Sequence, residues 1–450
     1  MNGAESLVRT LVANDVNVCF TNPGTSEMHF VSALDRVDGM RCVLGLFEGV
    51  VTGAADGYYR MKGTPASTLL HLGPGLGNGI ANLHNAKKAS SGIVNIVGQH
   101  ATYHIEHNAP LTSDIEGLAR PVSAWVRTSP NAKSGAKDGA AAIAAASASP
   151  GQVATLILPA DTAWNEADGI AKVEGISQRA AYSPEAVDKA AKILRSGEPT
   201  LILMSHRALL EDGLALAQQI SGKTGCKVMA QGSNPRMARG AGRYSIDRVP
   251  YVVDVALNAL KDYRNIILVE AHEPVAFFAY PEKPSLLKKD GTSVHTLVDN
   301  GGDSIGSLRA LADAVGAKPS DARPQQHAQI VRPTGALTHA SIAAAIASTL
   351  PENAIVVDEA VTTGRAFFAP TAGAKPHDWL QNLGGSIGHR TPGPARGAGA
   401  GVEVRVARCA CARGALGAGG GPAGGPLVIG NAAVAAAGEA IAGLAVLPPG

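Results

Sequence analysis

Residues 41–62 read RCVLGLFEGVVTGAADGYYRMK, and this stretch decides the fold. The apolar run Arg41–Phe47 predicts a strand, and the small residues of Val50–Met61 predict a helix directly after it. Glu48 stands at this junction, the edge where parallel α/β sheets bind ligands. A carboxylate among apolar and very small residues needs a partner or a chemical role. The alternative is a helix N-terminal glutamate that the helix dipole stabilises.

The same alternation of strands and helices extends on both sides of this junction. Further strands are predicted at Val16–Phe20, Ser67–Leu72, Gly92–Val97 and Ala154–Leu158. Near-continuous apolar strands separated by helices indicate parallel sheets with both faces covered. The pattern restarts twice after linkers, so the fold class is α/β with three doubly wound parallel-sheet domains. The predicted domains are 1–165, 184–317 and the start of a third at 334–388, followed by a Gly/Ala-rich tail at 389–450.

Composition excludes several classes of function. The chain has 450 residues, a formal net charge of +2 and five cysteines. A near-neutral chain is not expected to bind nucleic acid. We find no apolar run of membrane-spanning length ahead of the tail, so no membrane partner is expected. Five scattered cysteines are typical of a reducing compartment, and we predict a cytoplasmic protein.

A second strand end leads into residues 69–79, LLHLGPGLGNG. We predict a Gly-rich loop there and a helix from Ile80 to Lys88. The glycine spacing matches neither a dinucleotide fingerprint nor a phosphate-binding P-loop. Such a loop lets the backbone approach a ligand closely. His71 lies beside it as a candidate site residue, and a purely structural histidine is the alternative.

Two polar segments complete the candidate site. Residues 22–27, NPGTSE, predict a sharp turn, after which Thr25 or Ser26 caps a helix. His100, His104 and His107 follow a fourth strand, and this spacing could place three imidazoles on one helix face for a metal ion. Because the segment reads as a loop, we favour a polar loop over the site and predict no metal there.

These motifs, in this order, resemble the thiamine-diphosphate-dependent enzymes that act on 2-oxo acids. The resemblance covers residues 1–388 and is nearest to acetolactate synthase large subunits and benzoylformate decarboxylase. It implies thiamine diphosphate and Mg²⁺ as cofactors and a 2-oxo acid as substrate. It also implies a homodimer or homotetramer, because the family's active site lies between two chains. The segments that carry it are NPGTSE (22–27), LFEGVVTGAADGYYR (46–60), LLHLGPGLGNG (69–79), NIVGQ (95–99), VVDEA (356–360) and LGGSIG (383–388).

The resemblance also implies roles for single residues. Glu48 matches the family's catalytic glutamate, which hydrogen-bonds the pyrimidine ring nitrogen of the cofactor and favours its imino tautomer. His71 matches the active-site histidine of the decarboxylases, and Thr25 stands where those enzymes have a substrate-facing serine. The implied cofactor-binding residues are Pro23, Gly24, Gly75, Asn78, Gln99, Glu359, Gly385, Ser386 and Ile387.

The sequence departs from the family after residue 388. The family's third domain holds Mg²⁺ with a Gly-Asp-Gly motif and a later Asn, but no Gly-Asp-Gly occurs in this chain. The 60 residues from Thr391 to Gly450 contain 15 Gly, 17 Ala and no Asp. We interpret residues 389–450 as a shifted reading frame, with a natural low-complexity tail as the alternative, and assign no metal ligand. The segment Leu201–His206 lacks the Gly-rich turn that FAD-binding synthases have after the corresponding strand, so FAD is not expected.

Three hypotheses about function follow. The first is an acetolactate-synthase-like decarboxylase and carboligase of 2-oxo acids that is inactive if the metal motif is missing. The second is a benzoylformate-type decarboxylase, which His71 favours. The third is a non-catalytic homologue that pairs with an intact subunit. The substrate side chain is left open.

Overall fold

The computed structural model of the chain describes residues 1–359, 363–388 and 427–429. These residues form two compact units, 1–178 with 382–388 and 179–381 with 427–429. This division does not test the domain boundaries expected from the sequence, which stay a prediction. Apart from 427–429, the tail at 389–450 lies outside the described residues, as do Cys409 and Cys411.

The first unit is built on a six-stranded parallel sheet with the strand order β2-β1-β3-β4-β6-β5. Strands β3, β4 and β6 are buried at every residue, because helices cover both faces of the sheet. The edge strand β2 is largely exposed. The elements are α1 (Gly3–Ala13), β1 (Val18–Asn22), α2 (Met28–Arg36), β2 (Arg41–Leu44), α3 (Glu48–Lys62), β3 (Ala66–Leu70), α4 (Leu72–Ala89), β4 (Ile93–Gln99), α5 (Ile115–Ala119), β5 (Trp125–Thr128), α6 (Ala132–Ser147), β6 (Val153–Pro159) and α7 (Ala160–Trp164).

The expected Gly-rich loop before Ile80 is wrong, because helix α4 begins at Leu72. One of its glycines, Gly79, serves close packing against α3. A Cβ on Gly79 would lie 3.0 Å from Cγ2 of Thr52, and the Thr52 hydroxyl donates to the carbonyl oxygen of Gly79 at 3.0 Å. Glycine lowers helix propensity, so this helix depends on tertiary contacts that a local pattern does not reveal.

A buried ion pair fixes helix α3. The guanidinium of Arg60 donates to both carboxylate oxygens of Asp56, and the Ser91 hydroxyl donates to Oδ1 of Asp56 at 2.5 Å. Both side chains of the pair are almost fully buried, so each charge depends on the other. The bond from Ser91 attaches α3, whose first residue is Glu48, to the turn between α4 and β4.

The second unit contains two sheets. The parallel sheet has the order β10-β8-β7-β11-β12, and the other has the order β15-β13-β14-β9, in which β9 is antiparallel to β14. Together with the first unit, these sheets confirm the α/β prediction. The elements are α8 (Pro184–Arg195), β7 (Thr200–Met204), α9 (Glu211–Thr224), β8 (Lys227–Ala230), β9 (Met237–Arg239), β10 (Asp247–Arg248), α10 (Val253–Leu260), β11 (Asn265–Val269), β12 (Ser293–Val298), α11 (Ser304–Val315), α12 (His339–Thr349), β13 (Ala354–Asp358), β14 (His377–Gln381) and β15 (Leu427–Ile429).

Helix α12 begins later than the sequence predicts. The sequence predicts a helix from Gly335 to Leu350 with Thr334 as its N-cap. In the structure Thr338 caps the helix and accepts from the backbone N–H of Ser341 at 3.0 Å. The Ser341 hydroxyl accepts from the backbone N–H of Thr338 at 2.8 Å, which completes a capping box. Within the described ranges, no helix is long and apolar enough to cross a membrane.

Candidate functional site

The candidate site lies at the carboxyl edge of the first unit's sheet. Strand β1 has β2 on one side and β3 on the other, so the strand order reverses between β1 and β3. Open α/β sheets bind ligands at such a switch point. Asn22 ends β1, His71 follows β3 and His100 follows β4. Three of the predicted motifs therefore meet at adjacent strand ends.

Glu48 is the first residue of α3 and is half-buried. Its Oε2 accepts a hydrogen bond from Nδ2 of Asn78 at 3.0 Å, so the two predicted residues contact each other across α3 and α4. A Cβ on Gly75 would lie 3.5 Å from Oε1 of Glu48. That Cβ would also lie 3.3 Å from Cβ of His71, so a glycine here lets α4 begin close to both Glu48 and His71.

His71 pairs with a glutamate that was not among the candidate residues. Its Nδ1 lies 2.8 Å from Oε2 of Glu27, and the same oxygen accepts from the backbone N–H of Gly24 at 2.8 Å. Glu27 is 3% exposed, whereas the His71 side chain is 22% exposed. Burial raises the pKa of Glu27, and the hydrogen bonds from Gly24 and His71 oppose that increase. The pair joins a buried carboxylate to an accessible imidazole.

Sequence reasoning missed Glu27 because NPGTSE was interpreted only as a turn and a helix cap. A signal was present, since Glu27 stands three residues after Gly24. This is the capping-box spacing, in which the third residue's carboxylate bonds back to the backbone N–H of the capping residue. The structure has this bond.

The other predicted residues of this edge lie near these strand ends but in different environments. Thr25 is exposed, and Pro23 and Gly24 are half-buried in the turn after β1. Gln99 ends β4, is 7% exposed, and accepts from the backbone N–H of His100 at 2.8 Å. Their contacts with a cofactor or substrate stay a prediction.

The rings of the three histidines after β4 pack edge to face. Residues Thr102–His107 form a 3₁₀ helix. The ring centroids of His100 and His104 lie 5.4 Å apart, and those of His104 and His107 lie 5.7 Å apart. Burial lowers the pKa of His100, and the charges of His104 and His71 lower it further. No cluster of three or more His, Cys, Asp or Glu able to hold a metal occurs in the part of the chain that the structure describes.

The LGGSIG turn packs on helix α4. Asn85 donates from Nδ2 to the carbonyl oxygen of Ser386 at 2.9 Å, and its Oδ1 accepts from the backbone N–H of Ser386 at 3.2 Å. Asn82 donates to the carbonyl oxygens of Gly49 at 2.7 Å and Gly388 at 3.1 Å. Gly385 has a φ of +76°, which a side chain would disfavour, and Ile387 is 71% exposed. The asparagines of α4 thus bind the backbone that was predicted to contact the cofactor.

Glu359 directly follows β13 in the second unit and is half-buried. Its predicted role toward the cofactor stays a prediction. The part of the family's third domain that holds Mg²⁺ would follow residue 388, where no metal ligand is assigned and where, apart from 427–429, the residues lie outside those described.

Comparisons with known proteins agree with these motifs. The family described as "Thiamine pyrophosphate enzyme, N-terminal TPP binding domain" matches residues 1–118. The acetolactate synthase large subunit-like protein IlvX of Mycobacterium tuberculosis is 48% identical over 393 residues, which cover 87% of this chain and 75% of that protein. Benzoylformate decarboxylase of Pseudomonas aeruginosa is 28% identical over 401 residues, which cover 83% of this chain and 74% of that enzyme.

A solved structure shares the fold. The thiamine diphosphate-dependent 4-hydroxybenzoylformate decarboxylase of Rhodococcus jostii matches with a TM-score of 0.73 at 22% identity, over 86% of this chain and 77% of that one. The extent and identity of the match to the Mycobacterium tuberculosis protein, together with the N-terminal domain match, show that this chain belongs to the family of thiamine-diphosphate-dependent enzymes.

Proposed function

We propose that this chain acts with thiamine diphosphate on a 2-oxo acid, and that Glu48 and His71 carry its chemistry. The observation that carries the proposal is the pairing of Glu48 with Asn78 beside the bare Gly75, at the strand-order switch point. A carboxylate held by an amide through one oxygen can use its other oxygen to hydrogen-bond a ring nitrogen of a ligand. Acetolactate formation is the first candidate reaction, supported by the 48% identical relative.

The residues of the first unit fit the pyrimidine end of thiamine diphosphate. Glu48 supplies the acceptor or proton donor, Asn78 orients it, and Gly75 lets α4 approach both Glu48 and His71 closely. When bound, thiamine diphosphate supplies a nucleophilic carbon and an electron sink for decarboxylation. The chain's own contribution is to hold a proton at Oε1 of Glu48 and to exchange a proton with the substrate at Nε2 of His71.

The chain fits the Mg²⁺ and diphosphate end of the cofactor less well than the pyrimidine end. Mg²⁺ requires hard oxygen ligands, yet the sequence contains no Gly-Asp-Gly and no Asp after residue 390. We therefore expect the 450-residue chain to bind thiamine diphosphate weakly and to turn over slowly. Isothermal titration with Mg²⁺ checks this, and Mg²⁺-dependent binding in the micromolar range would contradict it.

A decarboxylase of the benzoylformate type is the second candidate, and the pair of His71 and Glu27 favours it. Decarboxylation that ends in an aldehyde requires a proton donor near the new carbanion, whereas carboligation uses a second carbonyl compound instead. His71 is accessible and has a buried carboxylate behind it, which suits a proton donor. A cytoplasmic location and a homodimer or homotetramer belong to the same proposal.

The experiment is to incubate the chain with thiamine diphosphate, Mg²⁺ and either pyruvate or benzoylformate, and to measure CO₂, acetolactate and aldehyde. We expect Glu48→Gln to abolish CO₂ release. Glu185→Gln, at an exposed glutamate in the first turn of α8, is the matched control and should change nothing. Equal CO₂ release from Glu48→Gln and the wild-type chain would refute the role of Glu48. Complete absence of turnover in the wild-type chain would favour a non-catalytic homologue.

A further inference from the structure

The buried carboxylate of Glu27 has an arrangement that the proposed chemistry does not yet use. Its Oε2 meets two nitrogens at 2.8 Å, the backbone nitrogen of Gly24 and Nδ1 of His71. Its Oε1 is buried and has no hydrogen-bond partner among the described residues. A buried oxygen without a partner costs folding free energy, so stability alone does not account for this carboxylate.

We propose that Glu27 is a positioning residue that keeps the imidazole proton of His71 on Nδ1 and leaves Nε2 as the nitrogen that exchanges protons with the substrate. The hydrogen bond at one ring nitrogen determines which nitrogen carries the proton. Here the acceptor is a carboxylate oxygen already oriented by the N–H of Gly24. The substrate-facing role of Nε2 rests on the proposed function, whereas the position of the proton does not.

Two glycines, Gly24 and Gly98, form a slot for the pair of Glu27 and His71 because neither has a side chain. A Cβ on Gly24 would overlap the imidazole ring of His71, at Nδ1, Cε1 and Cγ. A Cβ on Gly98, in the neighbouring strand β4, would overlap Oε1 of Glu27. Gly24 has a φ of −115°, which any residue adopts, so its lack of a side chain serves the contact and not the backbone.

The pair can move one proton without a further reactant. When Nε2 takes a proton, the ring becomes an imidazolium that faces the carboxylate of Glu27 at 2.8 Å. When Nε2 returns the proton to a carbanion or an alkoxide, the ring is again neutral with its proton on Nδ1. The buried carboxylate stabilises the charged form and fixes the orientation of the ring in both states.

The test reads the two ring nitrogens of His71 by ¹⁵N NMR in the full chain, labelled at histidine, without cofactor and at about pH 8, where a histidine with an ordinary pKa is neutral. His71→Gln assigns the signals. We expect the wild-type chain to carry the proton on Nδ1. In Glu27→Leu the acceptor is lost, and we expect the proton to move to Nε2.

A second variant reaches the same contact from the other side. Gly24→Ala pushes the ring of His71 away without altering the carboxylate, so it should also move the proton to Nε2. It keeps the proposal testable if Glu27→Leu does not fold. The controls are Gly77→Ala and Glu106→Gln. Gly77 lies in α4, which begins directly after His71, and a Cβ there would meet nothing within 4 Å. The carboxylate of Glu106 lies 3.8 Å from Nε2 of the exposed His107. Both should leave the proton of His71 on Nδ1.

The outcomes separate this proposal from the proposed function. An Nε2 proton in the wild-type chain, or an Nδ1 proton retained in folded Glu27→Leu or Gly24→Ala, would overturn the role of Glu27. Where the wild-type chain turns over a 2-oxo acid, Glu27→Leu should lower kcat about 10- to 100-fold with little change in KM. Absence of turnover together with the expected tautomers would refute the proposed function and leave the positioning role intact.

Discussion

The parallel sheet of each unit places a buried glutamate with a histidine beside it at the carboxyl edge. Only the histidine beside Glu27 has a ring nitrogen that has no partner among the described residues. Glu27 meets His71, whose side chain is 22% exposed. Glu270 directly follows β11 and accepts from the backbone N–H of Ala208 at 2.8 Å, while its Oε1 lies 3.8 Å from Nη1 of Arg179.

The histidine beside Glu270, His206, has a contact at both ring nitrogens, whereas His71 has one at Nδ1. Nδ1 of His206 lies 3.2 Å from the carbonyl oxygen of Glu270, and its Nε2 lies 3.2 Å from Nδ2 of Asn300. Burial raises the pKa of Glu270, as it does that of Glu27. A raised carboxyl pKa therefore does not distinguish the two edges, whereas a ring nitrogen that has no partner among the described residues does.

The largest expected effect separates the two glutamates by stability. Glu270→Leu removes the acceptor of a buried backbone N–H and the partner of Arg179, so we expect the free energy of unfolding to fall by about 2–3 kcal/mol. Each substitution also removes a buried oxygen that has no hydrogen-bond partner among the described residues, but Glu27→Leu breaks no ion pair with an arginine and should change the free energy of unfolding by less than about 1 kcal/mol. Urea unfolding, followed by hydrogen exchange in each unit, measures both. A larger loss in Glu27→Leu would reverse the comparison.

The next effect concerns the slot around Glu27. Gly98→Ala should cost about 1–3 kcal/mol, because the added methyl group overlaps Oε1 of Glu27. In a Glu27→Ala background the same substitution should cost less, which a double-mutant cycle detects. Gly135→Ala is the control in helix α6, since the nearest atoms to its Cβ are 3.9 and 4.0 Å away. Additive costs for Gly98→Ala and Glu27→Ala would show that the carboxylate does not occupy this slot.

The smallest effect is a dependence of stability on pH. The pKa of Glu27 is raised in the folded chain, so the folded state binds this proton more tightly than the unfolded state. Its contribution to stability is present below the usual carboxyl pKa of about 4.5 and is lost as pH rises through the folded pKa. His71 faces the carboxylate directly, and His100 lies near His71. Glu27→Gln should make the free energy of unfolding less dependent on pH above about pH 4.5, and an unchanged slope would refute this.

Much of the candidate site could be predicted from the sequence, because strand ends and helix starts are local patterns. Glu48 and His71 stand at such junctions, and the structure places Glu48 at the start of α3 and His71 directly after β3. Glu27 could not be recognised by pattern alone, since its partner is 44 residues away and its burial depends on the bare backbone of Gly98. The capping-box spacing from Gly24 was the one local signal for it.

The helical state of the Gly-rich segment was missed for a different reason. Gly73, Gly75, Gly77 and Gly79 together lower helix propensity, and a local prediction therefore favours a loop. In the structure, Gly79 lets α4 approach Thr52 of α3, and tertiary packing overrides the local preference. The later start of α12 is a smaller case, because two threonines precede the helix and only Thr338 has Ser341 at capping-box spacing.

The most direct test of the account asks which carboxyl edge binds the cofactor. Side-chain amide signals of Asn78, next to Glu48, and of Asn234, next to Ser205 at the end of β7, report on the two edges. Thiamine diphosphate and Mg²⁺ at millimolar concentrations should shift the Asn78 signal in the wild-type chain and not in Glu48→Gln, while the Asn234 signal stays unchanged. A shift at Asn234 without one at Asn78, or an Asn78 shift that persists in Glu48→Gln, would contradict the assignment of the reactive edge.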